Sequence, residues 1–177
     1  MVRFFPSSQH SICSGVTYLI TFACYGNHLH GTEPGSVDRL HHIYRSPLAC
    51  ADAGRLSNEQ APLRETPYSI RPEQRSVVLQ SMKEVCLHRG WTLHAAHVRT
   101  THVHAVAEGN ARPEAMMNAF KAYASRALNR SGFDRRTKAR WARHGSTRWL
   151  WTKNDVYAAV QYVIARQGEP MAVFLAE

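Results

Sequence analysis

The clearest hydrophobic pattern begins at Gly15–Tyr25, where GVTYLITFACY is rich in β-branched and aromatic residues and predicts a strand. Residues 26–71 break that pattern with mixed Gly, Pro, Ser, Asp and His, and predict an irregular insertion. Pro72–Arg89 then predicts a helix: Pro72 fits a first turn, Val77, Val78, Met82, Val85 and Cys86 recur at helical spacing, and Gly90 stops it. Trp91–Val98 and His102–Glu108 predict two strands joined by a short turn at Arg99–Thr101. Pro113–Arg130 predicts a second helix, with Gly132 just past its end. A short strand is expected at Arg148–Trp151. A third helix is expected at Asn154–Gln167, capped by Asn154 and lined by Val156, Val160, Val163 and Ile164. The first six elements give the order β-α-β-β-α-β. That order implies an α+β, ferredoxin-like split fold, an antiparallel sheet with helices on one face plus an additional C-terminal helix. One domain is expected over residues 1–177.

Composition narrows the partners. No run of about 18 apolar residues exists, so no membrane span is expected, and the N-terminal stretch has no long apolar core of the secretory kind. Together these imply a cytoplasmic protein. Four scattered cysteines include no C-x-x-C pair, which argues for reduced thiols over a zinc knuckle. The formal charge of +9 is concentrated. Residues 121–153 hold ten Lys and Arg against one acid, Asp134, and outside that window twelve basic and twelve acidic residues cancel. Trp141, Trp149 and Trp151 interleave with these cations. Stacking rings beside phosphate-binding charges suit single-stranded nucleic acid. Within the segment, Lys121, Arg126, Arg130, Arg136, Arg143, Arg148 and Trp149 are the expected DNA contacts, and His144 sits in a loop suited to touching phosphate.

Candidate chemistry centres on His102-Val103-His104. Strand side chains alternate faces, so the two imidazoles share a face and can hold one divalent ion, with Val106 and Glu108 following on it. By the same alternation His94 and His97 lie on opposite faces and cannot share an ion, whereas His28 and His30 follow the first strand closely enough to lie near the site. Tyr123 in the second helix borders a buried stripe of Met116, Phe120, Ala124 and Ala127, with Arg126 and Arg130 beside it. A phosphohydrolase of the histidine-triad type needs a third histidine where this chain has Val106. An RNA-recognition module needs aromatics at alternate positions of the third strand, where this chain has His102, His104, Val106 and Glu108.

Taken together, the His-Val-His strand, the helix with Phe120-Lys-Ala-Tyr123 and the basic C-terminal half resemble the HUH single-tyrosine transposases, and within them the REP-associated branch. Tyr18-Leu-Ile-Thr-Phe22, Tyr25-Gly-Asn-His-Leu-His-Gly31, Trp141–Trp151, and Tyr162-Val163 with Gln167-Gly168 add to the likeness, which spans nearly the whole chain. The resemblance implies an enzyme that nicks and rejoins single-stranded or hairpin DNA through a 5′-phosphotyrosine link, working as a monomer or homodimer. It implies that His102 and His104 bind Mg²⁺ or Mn²⁺ and that Tyr123 is the nucleophile. Tyr18, Tyr25, Tyr157 and Tyr162 are the other tyrosines considered. Family members commonly carry a polar third ligand four residues after the tyrosine. Ala127 stands there in this chain, leaving Glu108 or water for that role. The alternative is a silent binder of hairpin DNA that keeps the fold and the basic segment.

Overall fold

The structure is a computed structural model and describes residues 15–27, 66–133 and 139–177. Its elements, in chain order, are β1 (Val16–Ala23), α1 (Pro72–Arg89), β2 (Thr92–Val98), β3 (His102–Gly109), α2 (Pro113–Arg130), β4 (Ser146–Leu150), α3 (Lys153–Ala165) and β5 (Ala172–Leu175). The strands form one sheet in the order β4-β1-β3-β2-β5, with every neighbouring pair antiparallel. The split β-α-β-β-α-β fold expected from the pattern is therefore present. The cysteines within reach of description, Cys24 and Cys86, are buried free thiols, each pushed up to about 12 by burial. Among the described residues, no helix is long and apolar enough to cross a membrane.

Alternation along the strands divides the protein into two cores. Tyr18, Ile20 and Phe22 of β1 and Val103, Ala105 and Ala107 of β3 point to one face. There they meet Val78, Met82 and Val85 of α1 and Met116, Phe120, Ala124 and Leu128 of α2. Leu19 of β1, Ala95 of β2 and Val106 of β3 point to the other face, where Ala159 and Val163 of α3 cover them, with Val156, Val160 and Ile164 alongside. Each core removes apolar surface from water at roughly 25 cal/mol per Å². The sheet is thus a partition: a residue on α1 or α2 is separated from one on α3 by the full thickness of the strands.

Helix ends follow local chemistry. Gly90 adopts φ 65°, the left-handed conformation that closes α1. At α3 the expected cap, Asn154, is not used. Thr152 accepts from the Asp155 amide at 3.1 Å, and the Asp155 carboxylate accepts from the Thr152 amide at 3.1 Å. This reciprocal Thr-x-x-Asp box starts the helix two residues earlier than the pattern suggested. β5 was not expected. Its four residues are too few to show periodicity, and it is defined by pairing with β2 through Ala95–Leu175 and Ala96–Phe174.

Candidate active site

The His-Val-His expectation places its two imidazoles on the α3 face. Val103 between them lies in the α1–α2 core, and Val106 beyond them packs under α3. The rings of His102 and His104 are 4.7 Å apart, nearly perpendicular. His104 is 5% exposed, in the row Ser146–Thr21–His104–His97 that runs across β4, β1, β3 and β2. Its Nδ1 is hydrogen-bonded to Thr21 Oγ1 at 2.8 Å. His102 Nδ1 is similarly bonded to Thr101 Oγ1 at 3.1 Å. A hydroxyl at each Nδ1 orients its ring and directs coordination to Nε2, the outer-sphere arrangement typical of metal-binding histidines. The donor set is therefore suited to a divalent ion, with both imidazoles fixed from behind.

The tyrosine that stands beside this pair is Tyr162. Its ring stands edge-on to His104 with centroids 5.5 Å apart, and it is 38% exposed. His97 explains why α3 lies there. The fully buried His97 receives the Met171 N–H at Nε2 (3.2 Å), so its Nδ1 carries the proton and donates to the Val163 carbonyl at 3.0 Å. Burial above all, with the Arg99 charge adding to it, holds its pKa below the usual histidine range, although the bond to the Val163 carbonyl pulls the other way. This neutral imidazole pins the C-terminal half of α3 over the histidine row. Both its nitrogens are engaged, so it is a strut and not a ligand.

Several expected site residues lie elsewhere. Tyr123 is on α2 and packs against the α1–α2 core, beside His88 and under the Arg126 guanidinium at 4.4 Å. The sheet separates it from His102 and His104, so the structure does not bring the expected nucleophile and the expected metal ligands together: the helical wheel gave its angle on α2 but not the face of the sheet that α2 covers. Ala127, four residues on, is buried and 7% exposed. Glu108 shares the histidine face but sits beyond Val106, where its Oε2 pairs with His94 Nε2 at 3.1 Å. That pairing also corrects the placing of His94. A bulge between Leu93 and Ala95 breaks the alternation and turns His94 to the same face as His97.

Among the described residues, the cations of the basic segment do not share one surface. Lys121 is buried, not exposed to DNA. Its ammonium donates to the carbonyls of Ala142 (2.9 Å), His144 (3.1 Å) and Arg143 (3.5 Å), and burial pulls its pKa down to about 8. Arg126 and Arg130 are exposed on α2, across the sheet from the histidines. Arg143 is exposed in the loop before β4. Arg148 pairs with Leu19 and so belongs to the histidine face. Trp149 points the opposite way, edge-on to Tyr18, and stacks on Trp151 at 5.1 Å with 14° between planes. Arg136, His28 and His30 lie outside the described residues. Among the described residues, no group of three His, Cys, Asp or Glu is placed to share an ion.

Thr21, His97 and Tyr162 were the contributors not recognised from the pattern. Tyr162-Val163 was visible only as part of a resembling stretch. Thr21 was visible only within the resembling Tyr18–Phe22 stretch, because its contact depends on the register that sets it opposite His104.

With this geometry in view, comparison with known proteins is informative. A family model described as "Transposase IS200 like" matches residues 67–161, more than half of the chain. The solved structure of a REP-associated tyrosine transposase bound to a REP hairpin is similar to it with a TM-score of 0.52. That match covers 94% of this chain and 70% of the other, at 12% identity, and at such identity it speaks for the fold alone. No curated protein sequence matches the chain.

Proposed function

This chain belongs to the IS200-like, HUH single-tyrosine transposase family, and on that footing we propose that it cleaves and rejoins single-stranded DNA with Tyr162 as nucleophile. The observation that carries the reading is the contact between the Tyr162 ring and His104, on the face shared by His102 and His104. His102 and His104 would hold Mg²⁺ or Mn²⁺ through Nε2. A divalent ion held there supplies charge neutralisation at the scissile phosphate. Tyr162 Oη attacks phosphorus, the bond to the 3′ oxygen breaks, and that oxygen takes up a proton as a free hydroxyl. The tyrosine proton is released to water. Attack of a 3′-hydroxyl on the phosphotyrosine reverses the step and joins two ends, with no nucleotide cofactor because the phosphoester energy is kept in the covalent link. Arg148 on the histidine face and Arg143 beside it are the cations best placed to accompany the strand. The exposed Trp149–Trp151 stack offers a platform for a base or a hairpin end. The neighbour whose structure holds a REP hairpin supports hairpin DNA as the substrate form.

A second reading has one specific observation in its favour. Four residues past Tyr162 stands Arg166, and a guanidinium is not a metal ligand. A protein that binds hairpin DNA without cutting it would fit that difference. One experiment separates the readings: incubate the full chain with labelled single-stranded hairpin DNA and Mn²⁺, then look for an SDS-stable protein–DNA adduct. The enzyme gives an adduct that Tyr162→Phe abolishes and Tyr123→Phe retains. No adduct from any tyrosine, with tight DNA binding intact, establishes the silent binder.

A further inference from the structure

Alternation along β4 sends neighbouring side chains to opposite faces of the sheet. Arg148 and Leu150 lie on the α3 face, as the histidines do, whereas Thr147, Trp149 and Trp151 lie on the α1–α2 side. Trp149 meets the buried Tyr18 at nearly a right angle, with ring centroids 5.0 Å apart, so a core residue holds it in place. Trp151 lies almost parallel on Trp149, 14° between planes, and is 74% exposed against 45% for Trp149. One face of the Trp151 indole is thus covered by its neighbour and the other is open. A rigid ring with an open face is a stacking surface for a base. The acids at neighbouring positions are engaged: Glu114 accepts from Thr147 Oγ1 at 3.0 Å, and Asp155 accepts from the Thr152 hydroxyl at 2.8 Å. Arg148 and Lys153 flank the pair in the chain.

The indoles and the histidines are on opposite faces, and packed core fills both sides of the sheet between them. The way from one to the other is around β4, which ends the strand order β4-β1-β3-β2-β5. Ser146 shares the His104 row at two strand spacings, about 10 Å, and Trp149 is three residues further along β4, about 10 Å more. A ligand that touches both sites must bend about one β-strand. A DNA duplex, with a persistence length of about 50 nm, resists so tight a turn. A single strand turns at each nucleotide, and its unpaired bases are available for stacking. Arg148 stands on the histidine side of the edge that such a strand crosses, where a cation meets its phosphate.

We propose that the substrate strand leaves the histidine face over the free edge of β4 and stacks an unpaired base on the open face of Trp151, with Trp149 positioning that ring. The proposal rests on single-stranded DNA as the substrate. The test is fluorescence anisotropy of the full chain with a DNA hairpin that carries a single-stranded flank on each side, with the same hairpin lacking flanks, and with flanks in which one base at a time is replaced by an abasic site. Trp151→Ala should weaken binding of the flanked hairpin roughly 5- to 150-fold, the worth of one base–aromatic stack. Its salt slope should stay the same, because no phosphate contact is lost. Trp151→Phe should keep most of the affinity, and the flankless hairpin should bind equally well to all three proteins. One abasic position should weaken the wild type and add nothing in Trp151→Ala, while the other positions affect both proteins alike. Unchanged affinity for the flanked hairpin in Trp151→Ala overturns the proposal, as does an equal loss for the flankless one, which assigns the indole to a helix end. A Trp151→Ala protein that keeps its DNA affinity but changes its sedimentation without DNA assigns the stack to a second copy of the chain and overturns the proposal too. A wild-type protein that binds neither DNA overturns the substrate reading and the stacking site together.

Discussion

Thr21→Val isolates the contribution of a single hydroxyl to the histidine site. Valine keeps the β-branched shape and removes the oxygen that lies 2.8 Å from His104 Nδ1. For His104 to bind a metal through Nε2, Nδ1 must carry the proton, and Thr21 Oγ1 is then the acceptor. Loss of a second-sphere partner of this kind costs about 10–100-fold in metal affinity. At 1.4 kcal/mol per decade this equals roughly 1.4–2.8 kcal/mol. The cost to folding should be smaller, about 1 kcal/mol, because a part-buried neutral hydrogen bond contributes about that net amount. Mn²⁺ binding by calorimetry and thermal melting of the metal-free protein measure the two terms separately. Thr21→Ser, which restores the oxygen, should recover most of the affinity. Unchanged Mn²⁺ affinity in Thr21→Val, with the protein folded, refutes the idea that Thr21 sets the His104 tautomer for coordination.

Other expectations are equally direct. His97 has a folded pKa below its unfolded value of about 6.5, so the unfolded chain binds more protons between those values. Stability should therefore fall as pH drops through that window, by up to about 1.4 kcal/mol per pH unit, and denaturant midpoints at successive pH values should show a shallower acid limb in His97→Asn. Gly145→Ala sets a methyl group against the Thr21 carbonyl, which is backbone and cannot swing aside; a loss of about 1–3 kcal/mol in chemical denaturation is expected. Arg148→Ala should lower single-stranded DNA affinity and its salt slope, whereas Arg126→Ala, across the sheet, should leave both nearly unchanged in fluorescence anisotropy. Equal effects would return the whole basic segment to a single DNA-binding surface.

Much of the fold was legible because its signals are local. The β-branched and aromatic content of β1, helical spacing in α1 and α2, and Gly90 after α1 each specify an element without tertiary information. The shared face of His102 and His104 was legible for the same reason. What alternation could not show is which side of the sheet each helix covers. Tyr123 follows the histidines closely in the chain, yet Met116, Phe120 and Ala124 on its own helix bury against Val103 and Ala105, the face the histidines do not use. The charge pattern failed in a related way. A lysine counts as a surface charge until the carbonyls of Ala142 and His144 are folded over it, and Lys121 is one. His94 was misplaced because a one-residue bulge inverts the parity on which the assignment relied.

The alternation that identified the two histidines also determines where their partners must come from. Among the described residues, the side chains sharing their face belong to the five strands or descend from the helix laid across that face. Val163 and Ala159 hold α3 there by packing, and His97 holds it by a hydrogen bond to the Val163 carbonyl. Tyr162 precedes Val163, so the contact that fixes the helix backbone also fixes the position of the Tyr162 ring relative to His104. The position of the proposed nucleophile is thus tied to a buried neutral imidazole on the strand beside the proposed metal ligands. Protonating His97 would add a donor where the Met171 amide already donates, and would loosen the end of α3 that carries Tyr162. Acid sensitivity of adduct formation should therefore track His97, and a His97 variant that still binds DNA and Mn²⁺ should lose adduct formation through misplacement of Tyr162.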